Sequence, residues 1–172
     1  LIAAELEPMG ILADCAPAVD LLHPHMHKII GDRALGETAA QVSVLAKAAL
    51  DGLSDGGVAG VIKHMPGHGR AEVDSHETMP VVRADRAAVE EDIAPFKAVR
   101  HATMGMTAHL VYRALDDETT PATHSRKIIH DVIRKEIGFD GLLMTDDLGM
   151  KALGGDLASR ATRALEAGCD VI

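Results

Sequence analysis

Three short segments of the chain carry polar side chains of the kinds that bind ligands and transfer protons. The first begins with Lys63 and His64, which close an apolar run and could hold hydroxyl groups or a carboxylate of a ligand. The simpler interpretation is a charged pair that ends a strand in solvent. Further along, Asp74 stands two positions before His76. A carboxylate so placed can bond one imidazole nitrogen and leave the other to transfer a proton. Such pairs also occur on ordinary solvated loops, so this one gains its interest from following a strand end.

The other two segments add a carboxylate and a guanidinium. Asp146 and Asp147 follow the apolar run LLM and a threonine. Asp146 can supply a nucleophilic carboxylate, whereas Asp147 also fits the N-cap of a helix. Arg33 lies before the first long helical pattern and can clamp a substrate through two parallel hydrogen bonds. A surface ion pair between Arg33 and Asp32 is the alternative interpretation.

Histidine spacing does not by itself predict a metal site. His23, His25 and His27 alternate as in a metal-binding strand, but they flank Pro24 and have no carboxylate beside them at ligand spacing. We therefore interpret these three side chains as solvated loop histidines.

Composition limits the class of protein. The chain has 172 residues, of which 47% are hydrophobic but only 2% aromatic, so a single domain with an aliphatic core is expected. The net charge of −9 argues against a nucleic-acid partner, because phosphate binding needs a basic face. Cys15 and Cys169 are spaced as reduced, packed thiols rather than as a disulfide framework. No apolar run approaches the ~18 residues of a membrane span.

Apolar periodicity predicts strands and helices in strict alternation, which favours a parallel sheet. Strand-like runs occupy 11–16, 58–64, 103–111 and 141–147, and another begins at Cys169. Helical patterns cover 37–53, 85–101, 125–138 and 156–167. The first helix is expected to turn one face inward, which comprises Val42, Leu45, Ala46, Ala49, Leu50 and Leu53.

The helix ends carry their own signals. Asp85 is expected to cap the second helix, and Pro95 is expected to break that helix into two pieces. Ser125 can cap the third helix, and Gly138 can end it.

Two folds fit this alternation, the doubly wound sheet and the (β/α)₈ barrel. Polar residues at the ends of four different predicted strands favour the barrel, in which active groups come from many strand ends; they are Asp14, Lys63-His64, His109 and Asp146. A dinucleotide-binding sheet would instead need three glycines in one turn, and Glu72 stands where the third belongs. The sequence therefore predicts an α/β fold, a (β/α)₈ TIM barrel.

The barrel is expected to be incomplete in this chain. A full barrel needs ~250 residues, so residues 1–172 are interpreted as a partial TIM-barrel catalytic domain of roughly five βα units. The chain begins with Leu1 rather than Met and ends on the apolar stub Val171-Ile172. We therefore expect that the first and last parts of the barrel lie outside it.

Several motifs together resemble one enzyme family. KHMPGHG followed by DSH, and TDDLGM further along, is similar to the NagZ-type β-N-acetylhexosaminidases of glycoside hydrolase family 3. The resemblance extends over the whole chain and includes APAVDL, IGDRALG, MTAHLVY, PATHS and EAGCDVI. It implies a retaining enzyme without metal or other cofactor, which removes non-reducing terminal N-acetylglucosamine, especially from cytoplasmic muropeptides during peptidoglycan recycling.

The resemblance also implies a role for each matching residue. Asp146 corresponds to the catalytic nucleophile that forms a covalent glycosyl-enzyme, His76 to the acid/base, and Asp74 to the residue that orients His76. The family positions that bind the N-acetylglucosamine unit correspond to Arg33, Lys63 and His64. The expected partner is thus a small carbohydrate, with neither nucleic acid nor membrane, in the cytoplasm.

Three other functions stay open on the sequence. The first is a metal-dependent hydrolase on the same barrel, which would use His64, His68, Asp74 and His76. The second is a glycoside phosphorylase, since a histidine acid/base could tolerate phosphate as the acceptor. The third is a sugar-binding remnant without catalysis.

Overall fold

The computed structural model describes residues 1–23, 30–71 and 79–172. The predicted pair Asp74 and His76 lies outside these residues, as do His25 and His27, so their predicted roles stay predictions.

A four-stranded parallel sheet forms the centre of the molecule. Its strands are β1 (Ala13–Asp14), β2 (Ala59–Met65), β4 (Met104–Thr107) and β6 (Leu142–Thr145), arranged in that order. Two further strands, β3 (Val81–Val82) and β5 (Val111–Tyr112), form a separate parallel pair. Because each strand of the main sheet is parallel to its neighbour and follows it along the chain, the sheet has the strand order of a barrel segment. The predicted partial TIM-barrel-like α/β fold is thereby confirmed.

Helices connect the strands. They are α1 (Ile2–Leu6), α2 (Ala39–Asp55), α3 (Arg86–Ala98), a π-helix (Ile128–Ile137) and α4 (Leu157–Ala167). Side-chain caps start several of them: the carboxylate of Asp85 accepts from the Ala88 N–H at 2.9 Å, and the Ser125 hydroxyl accepts from the Ile128 N–H at 3.0 Å. Gly138, with φ of 77°, ends the π-helix. The caps at Asp85 and Ser125 and the stop at Gly138 are as predicted.

The core lies between the sheet and α2, α3 and the π-helix. Its largest fully buried side chains include Ile62, Phe96, Ile133, Phe139 and Leu143. The core is thus mostly aliphatic, as the composition predicts, with both phenylalanines inside it.

Three local predictions were wrong. Helix α3 continues through Pro95, because burial of Ile93, Pro95 and Phe96 holds the last turn although proline donates no hydrogen bond there. Leu45 on α2 is 43% exposed, whereas Val42 and Ala46 are buried. The predicted strand 103–111 is divided into β4 and β5, which belong to different sheets.

The cysteines and the last strand differ in part from expectation. Cys15 and Cys169 are both free thiols; Cys169 is buried, but Cys15 is exposed rather than packed. Burial raises the pKa of the Cys169 thiol to about 12. After Cys169 the chain makes a single parallel bridge, between Val171 and Met144 beside β6.

Candidate active site

The carboxyl ends of three neighbouring strands bring polar side chains to one edge of the sheet. His64 is the next-to-last residue of β2, His109 lies just beyond β4, and Asp146 directly follows β6. The predicted convergence of strand-end residues is therefore found for β2, β4 and β6. This edge is where barrel enzymes place their active sites.

Asp20 is the buried anchor of this edge. Its carboxylate is 0% exposed and accepts from His64 Nδ1 at 2.7 Å and from the backbone N–H of His68 at 2.7 Å. The His64 backbone N–H lies 3.1 Å and 3.3 Å from its two oxygens. Burial alone would raise the pKa of Asp20, but the charge of His64 and the hydrogen bonds from both histidines outweigh burial and lower it. The buried Asp20 is thus held as a carboxylate.

His64 faces Asp146 across the edge. With Nδ1 bound to Asp20, the opposite ring nitrogen, Nε2, lies 3.9 Å from Asp146 Oδ2. That distance is too long for a direct hydrogen bond, and it leaves both atoms able to contact one ligand group. The side chain of His64 is 7% exposed and that of Asp146 24% exposed. Asp146 is the more accessible member of the pair.

The backbone around Asp146 is fixed by short hydrogen bonds. Asp146 Oδ1 accepts from the Asp147 N–H at 2.8 Å, and Asp147 Oδ1 accepts from the Gly149 N–H at 2.6 Å. The Asp147 carboxylate therefore caps the turn that follows β6. It does not cap a helix as predicted, because α4 starts later, at the N-cap Asp156. Asp146 and Asp147 line a shallow surface pocket together with Thr145, Leu148, Gly149, Leu157 and Ile172.

His109 connects the strand ends to this turn. One ring nitrogen, Nδ1, lies 2.7 Å from the Thr123 hydroxyl, and Nε2 lies 3.0 Å from the Asp147 carbonyl. Burial lowers the pKa of His109 and outweighs the opposing effect of Asp146. Because a carbonyl can only accept, the neutral ring donates from Nε2 to Asp147 and accepts from the Thr123 hydroxyl at Nδ1.

The same turn is also held from α4. The guanidinium of Arg160 donates to the carbonyls of Leu148 and Met150 through Nη1 and to that of Gly155 through Nε. One side chain thus fixes both ends of the segment between Asp146 and α4.

The loop after β2 is shaped by two glycines. Gly67 has φ of 136°, and its carbonyl accepts from the Tyr112 hydroxyl at 2.9 Å. At Gly69 a Cβ atom would collide with the Leu21 carbonyl, so a side chain would push this loop away from the segment that carries Asp20. The loop side chain His68 packs edge-on to His64, with ring centroids 5.3 Å apart. Burial, together with the neighbouring His64, lowers the pKa of His68 to about 4.

His23 is not the solvated loop histidine that its spacing predicts. Its Nε2 lies 2.8 Å from a carboxylate oxygen of Asp92 on α3, and its side chain is only 19% exposed. Asp92 also accepts from Arg70 Nε. Its carboxylate therefore links α3 to the two segments that carry His23 and Arg70. Asp92 is distant in sequence, so local spacing gave no sign of this contact.

The two predicted cations lie at different depths. Lys63, half-buried in β2, exchanges backbone hydrogen bonds with the segment before Asp20: its carbonyl accepts from the Val19 N–H at 2.7 Å. Arg33 ends a 3₁₀ turn at Gly31–Arg33 and is exposed, with its Nε 3.2 Å from the Ile30 carbonyl. The predicted Asp32 ion pair and the predicted sugar contacts of both cations stay predictions.

Asp20, Thr123 and Tyr112 were missed as site residues. Asp20 stands within the apolar run APAVDLL, and an acid embedded among apolar residues is a signal for a buried, hydrogen-bonded carboxylate. Thr123 and Tyr112 give no such signal, because their partners are at least 14 residues away in the chain.

The fold and the edge together define a class. A parallel barrel-like sheet that presents an accessible carboxylate beside an oriented imidazole, at the edge where barrel enzymes place their active sites, has the side chains that an enzyme with a nucleophilic carboxylate needs. Among the described residues, no three histidine, cysteine, aspartate or glutamate side chains are grouped to hold a metal ion. In the same part of the chain, no helix combines the length and apolarity needed to cross a membrane.

Comparison with known proteins specifies the family. All of residues 1–172 match the glycosyl hydrolase family 3 N-terminal domain, and the chain belongs to that family. It is 40% identical over 178 residues to a beta-hexosaminidase of Mannheimia succiniciproducens, which covers 100% of this chain and 50% of that protein. The chain thus spans about half the length of the curated relatives it matches.

Solved structures give the same result. A family 3 beta-N-acetylglucosaminidase from Paenibacillus has a TM-score of 0.92 at 37% identity, covering 99% of this chain and 34% of that one. NagZ from Neisseria gonorrhoeae, in complex with N-trifluoroacetyl-D-glucosamine, has a TM-score of 0.89 at 35% identity, covering 99% and 49%. The predicted family resemblance is confirmed.

Proposed function

We propose that the protein carrying this chain is a retaining exo-β-N-acetylglucosaminidase and that residues 1–172 form part of its barrel. One observation carries the proposal: in a family 3 chain, the accessible carboxylate of Asp146 lies 3.9 Å from a buried, oriented His64 at the catalytic edge of the sheet. The name of the Paenibacillus relative, a beta-N-acetylglucosaminidase, supports N-acetylglucosamine as the sugar. Half of each curated relative lies outside the match, so the activity belongs to the whole protein.

Asp146 is proposed as the nucleophile. Its carboxylate attacks C1 of the sugar while the glycosidic oxygen leaves, which gives a covalent glycosyl-enzyme. The position supports this role, because Asp146 is partly exposed and its second oxygen is held by the Asp147 N–H. A carboxylate fixed in this way loses little conformational freedom when it reacts.

His76 is proposed as the acid/base, with Asp74 as its orienting partner. The protonated imidazole donates its proton to the leaving oxygen in the first step, and the neutral imidazole then removes a proton from the water that releases the sugar. Both residues lie outside the described part of the chain, and the family motif alone supports their assignment.

Lys63, His64 and Arg33 are proposed to hold the sugar. For His64 the support is geometric: its Nε2 faces the space beside Asp146 that the reacting ring would occupy. We carry over from the family resemblance that the natural substrates are muropeptides, that the enzyme acts in the cytoplasm during peptidoglycan recycling, and that it uses no cofactor.

Hydrolysis of a chromogenic N-acetylglucosaminide by the natural polypeptide that carries this chain tests the proposal. Asp146→Asn should lower kcat/KM by more than about 10³-fold, because a nucleophile cannot be replaced by its neighbours. His76→Ala should slow substrates with poor leaving groups by about 10²- to 10⁴-fold. With an activated leaving group it should still load Asp146 and accumulate the glycosyl-enzyme.

A matched control lies just before the same strand. Asp140 is exposed and precedes β6 at the opposite edge of the sheet, so Asp140→Asn should leave turnover unchanged. Normal turnover in Asp146→Asn would refute the nucleophile assignment. A sugar phosphate formed in phosphate buffer would identify a phosphorylase, and activity lost to a chelator would identify a metal-dependent hydrolase.

A further inference from the structure

We propose that Asp20 is a positioning residue of this site, which acts through His64 by fixing the tautomer and orientation of its ring. The inference rests on the proposed function, because it names a further residue of the same site. Asp20 holds the proton on Nδ1 of His64, and it thereby determines that Nε2 is the nitrogen that faces the sugar.

The geometry around Asp20 supports this role. One fully buried carboxylate receives three different N–H groups: the ring Nδ1 of His64 at 2.7 Å, the His64 backbone, and the His68 backbone at 2.7 Å. A carboxylate can only accept, so Nδ1 must carry a proton. The ring orientation that results turns Nε2 toward Asp146.

The consequence concerns the group that faces the substrate. With Nδ1 held at Asp20, Nε2 is the nitrogen that faces the sugar, and a sugar hydroxyl between Nε2 and Asp146 Oδ2 can contact both atoms across their 3.9 Å separation. Without Asp20 the ring could present either nitrogen to the sugar. Asp20 thus determines which nitrogen of His64 is available to the sugar, although Asp20 itself does not contact the sugar.

Asp20 also holds the loop after β2. Truncating its side chain would therefore disturb the loop and the His64 ring together, and the two effects could not be separated. Its carboxylate joins the backbone at His64 and His68, the two ends of the turn that contains Gly67. Asp20→Asn is the better variant, because it keeps the size and one acceptor oxygen. If that oxygen stays on the His68 N–H, the side-chain amide faces Nδ1 as a donor and requires the opposite tautomer of His64.

Long-range ¹H–¹⁵N spectra of the histidine rings test the tautomer directly, with His64 assigned by its loss in His64→Gln. Nδ1 of His64 should be protonated in the natural protein and bare in Asp20→Asn. A bare Nδ1 in the natural protein, or a Nδ1 proton that persists in Asp20→Asn, would overturn the proposal. This measurement does not depend on turnover.

Kinetics test whether Asp20 acts through His64. Asp20→Asn should lower kcat/KM by about 10- to 100-fold, the range expected for a charged hydrogen bond. In a His64→Gln background the same change should cost less than about threefold, because the group it orients is already gone. Equal losses in both backgrounds would mean that Asp20 is only structural and would overturn the proposal.

Asp170→Asn is the matched control. Like Asp20, Asp170 accepts from one side chain and from a backbone N–H, but it does so at the start of β6: Arg134 Nη2 lies at 2.7 Å and the Leu143 N–H at 2.8 Å. It should leave the His64 spectrum and kcat/KM unchanged. If the natural protein does not cleave the N-acetylglucosaminide, the proposed function fails, while the ring spectra still decide the role of Asp20.

Discussion

Replacing Tyr112 by Phe should destabilise the protein by removing a single hydrogen bond. The Tyr112 hydroxyl donates to the Gly67 carbonyl at 2.9 Å, and the side chain is fully buried. Phe fills the same space but leaves the carbonyl without this donor in a site closed to water. An unsatisfied buried acceptor costs about 1–3 kcal/mol. For a domain of this size, Tm falls by about 2–4 °C for each kcal/mol.

Urea unfolding followed by circular dichroism measures this loss. The slope of the free energy against urea should not change, because the surface exposed on unfolding is the same. Thr162→Val is the control: it also removes a hydroxyl that donates to a carbonyl, that of Ala158 at 2.9 Å, but on the exposed surface of α4. That variant should stay within about 0.5 kcal/mol of the natural protein.

The comparison can refute the reasoning. If Tyr112→Phe were as stable as Thr162→Val, the hydroxyl would contribute nothing to the loop. Because Gly67 lies between His64 and His68, we also expect the loss to reach the site and raise KM for the N-acetylglucosaminide. A stability loss with unchanged KM would show that the loop keeps its position without this bond.

Two further predictions concern pH and the turn after β6. Burial raises the pKa of Tyr112 well above 10.0, so the unfolded chain releases this proton first and stability should fall as pH rises above about 10. Urea unfolding from pH 8 to 11 should show a smaller decrease in the free energy of unfolding for Tyr112→Phe than for the natural protein. Equal decreases in the two proteins would contradict this prediction. Arg160→Lys, which loses the planar fork over three carbonyls, should speed amide exchange at Met150, whereas Arg126→Lys should not. Unchanged amide exchange at Met150 in Arg160→Lys would show that Arg160 does not hold the turn after β6.

Local signals predicted the helices well because their causes are local. Asp85 and Ser125 each accept a backbone N–H only three residues away, so sequence spacing was enough to predict them. The prediction that Pro95 breaks the helix was wrong, because the rule that proline breaks a helix ignores the packing of its neighbours. Strands β3 and β5 have two residues each, too few for any periodicity.

The site was predictable where residues end a strand and not where they approach from elsewhere. His64 and Asp146 follow apolar runs, and a parallel sheet brings such ends together. Asp20 follows β1 at a distance and contacts His64 only after the chain returns through α2, which no local pattern reveals. The contact of His23 Nε2 with the Asp92 carboxylate was missed for the same reason.

The long-range contacts at the edge also determine when the site can form. Asp20 and His64 are 44 residues apart, Gly67 and Tyr112 are 45 apart, and His109 and Asp147 are 38 apart. Each contact closes a chain loop that spans about one βα unit, and loop closure costs entropy that only later packing offsets. Helices can form early from their own sequences, but the reaction centre requires every unit to have docked. Local unfolding of the segment that carries Asp20 would therefore disturb the centre while most of the fold survived.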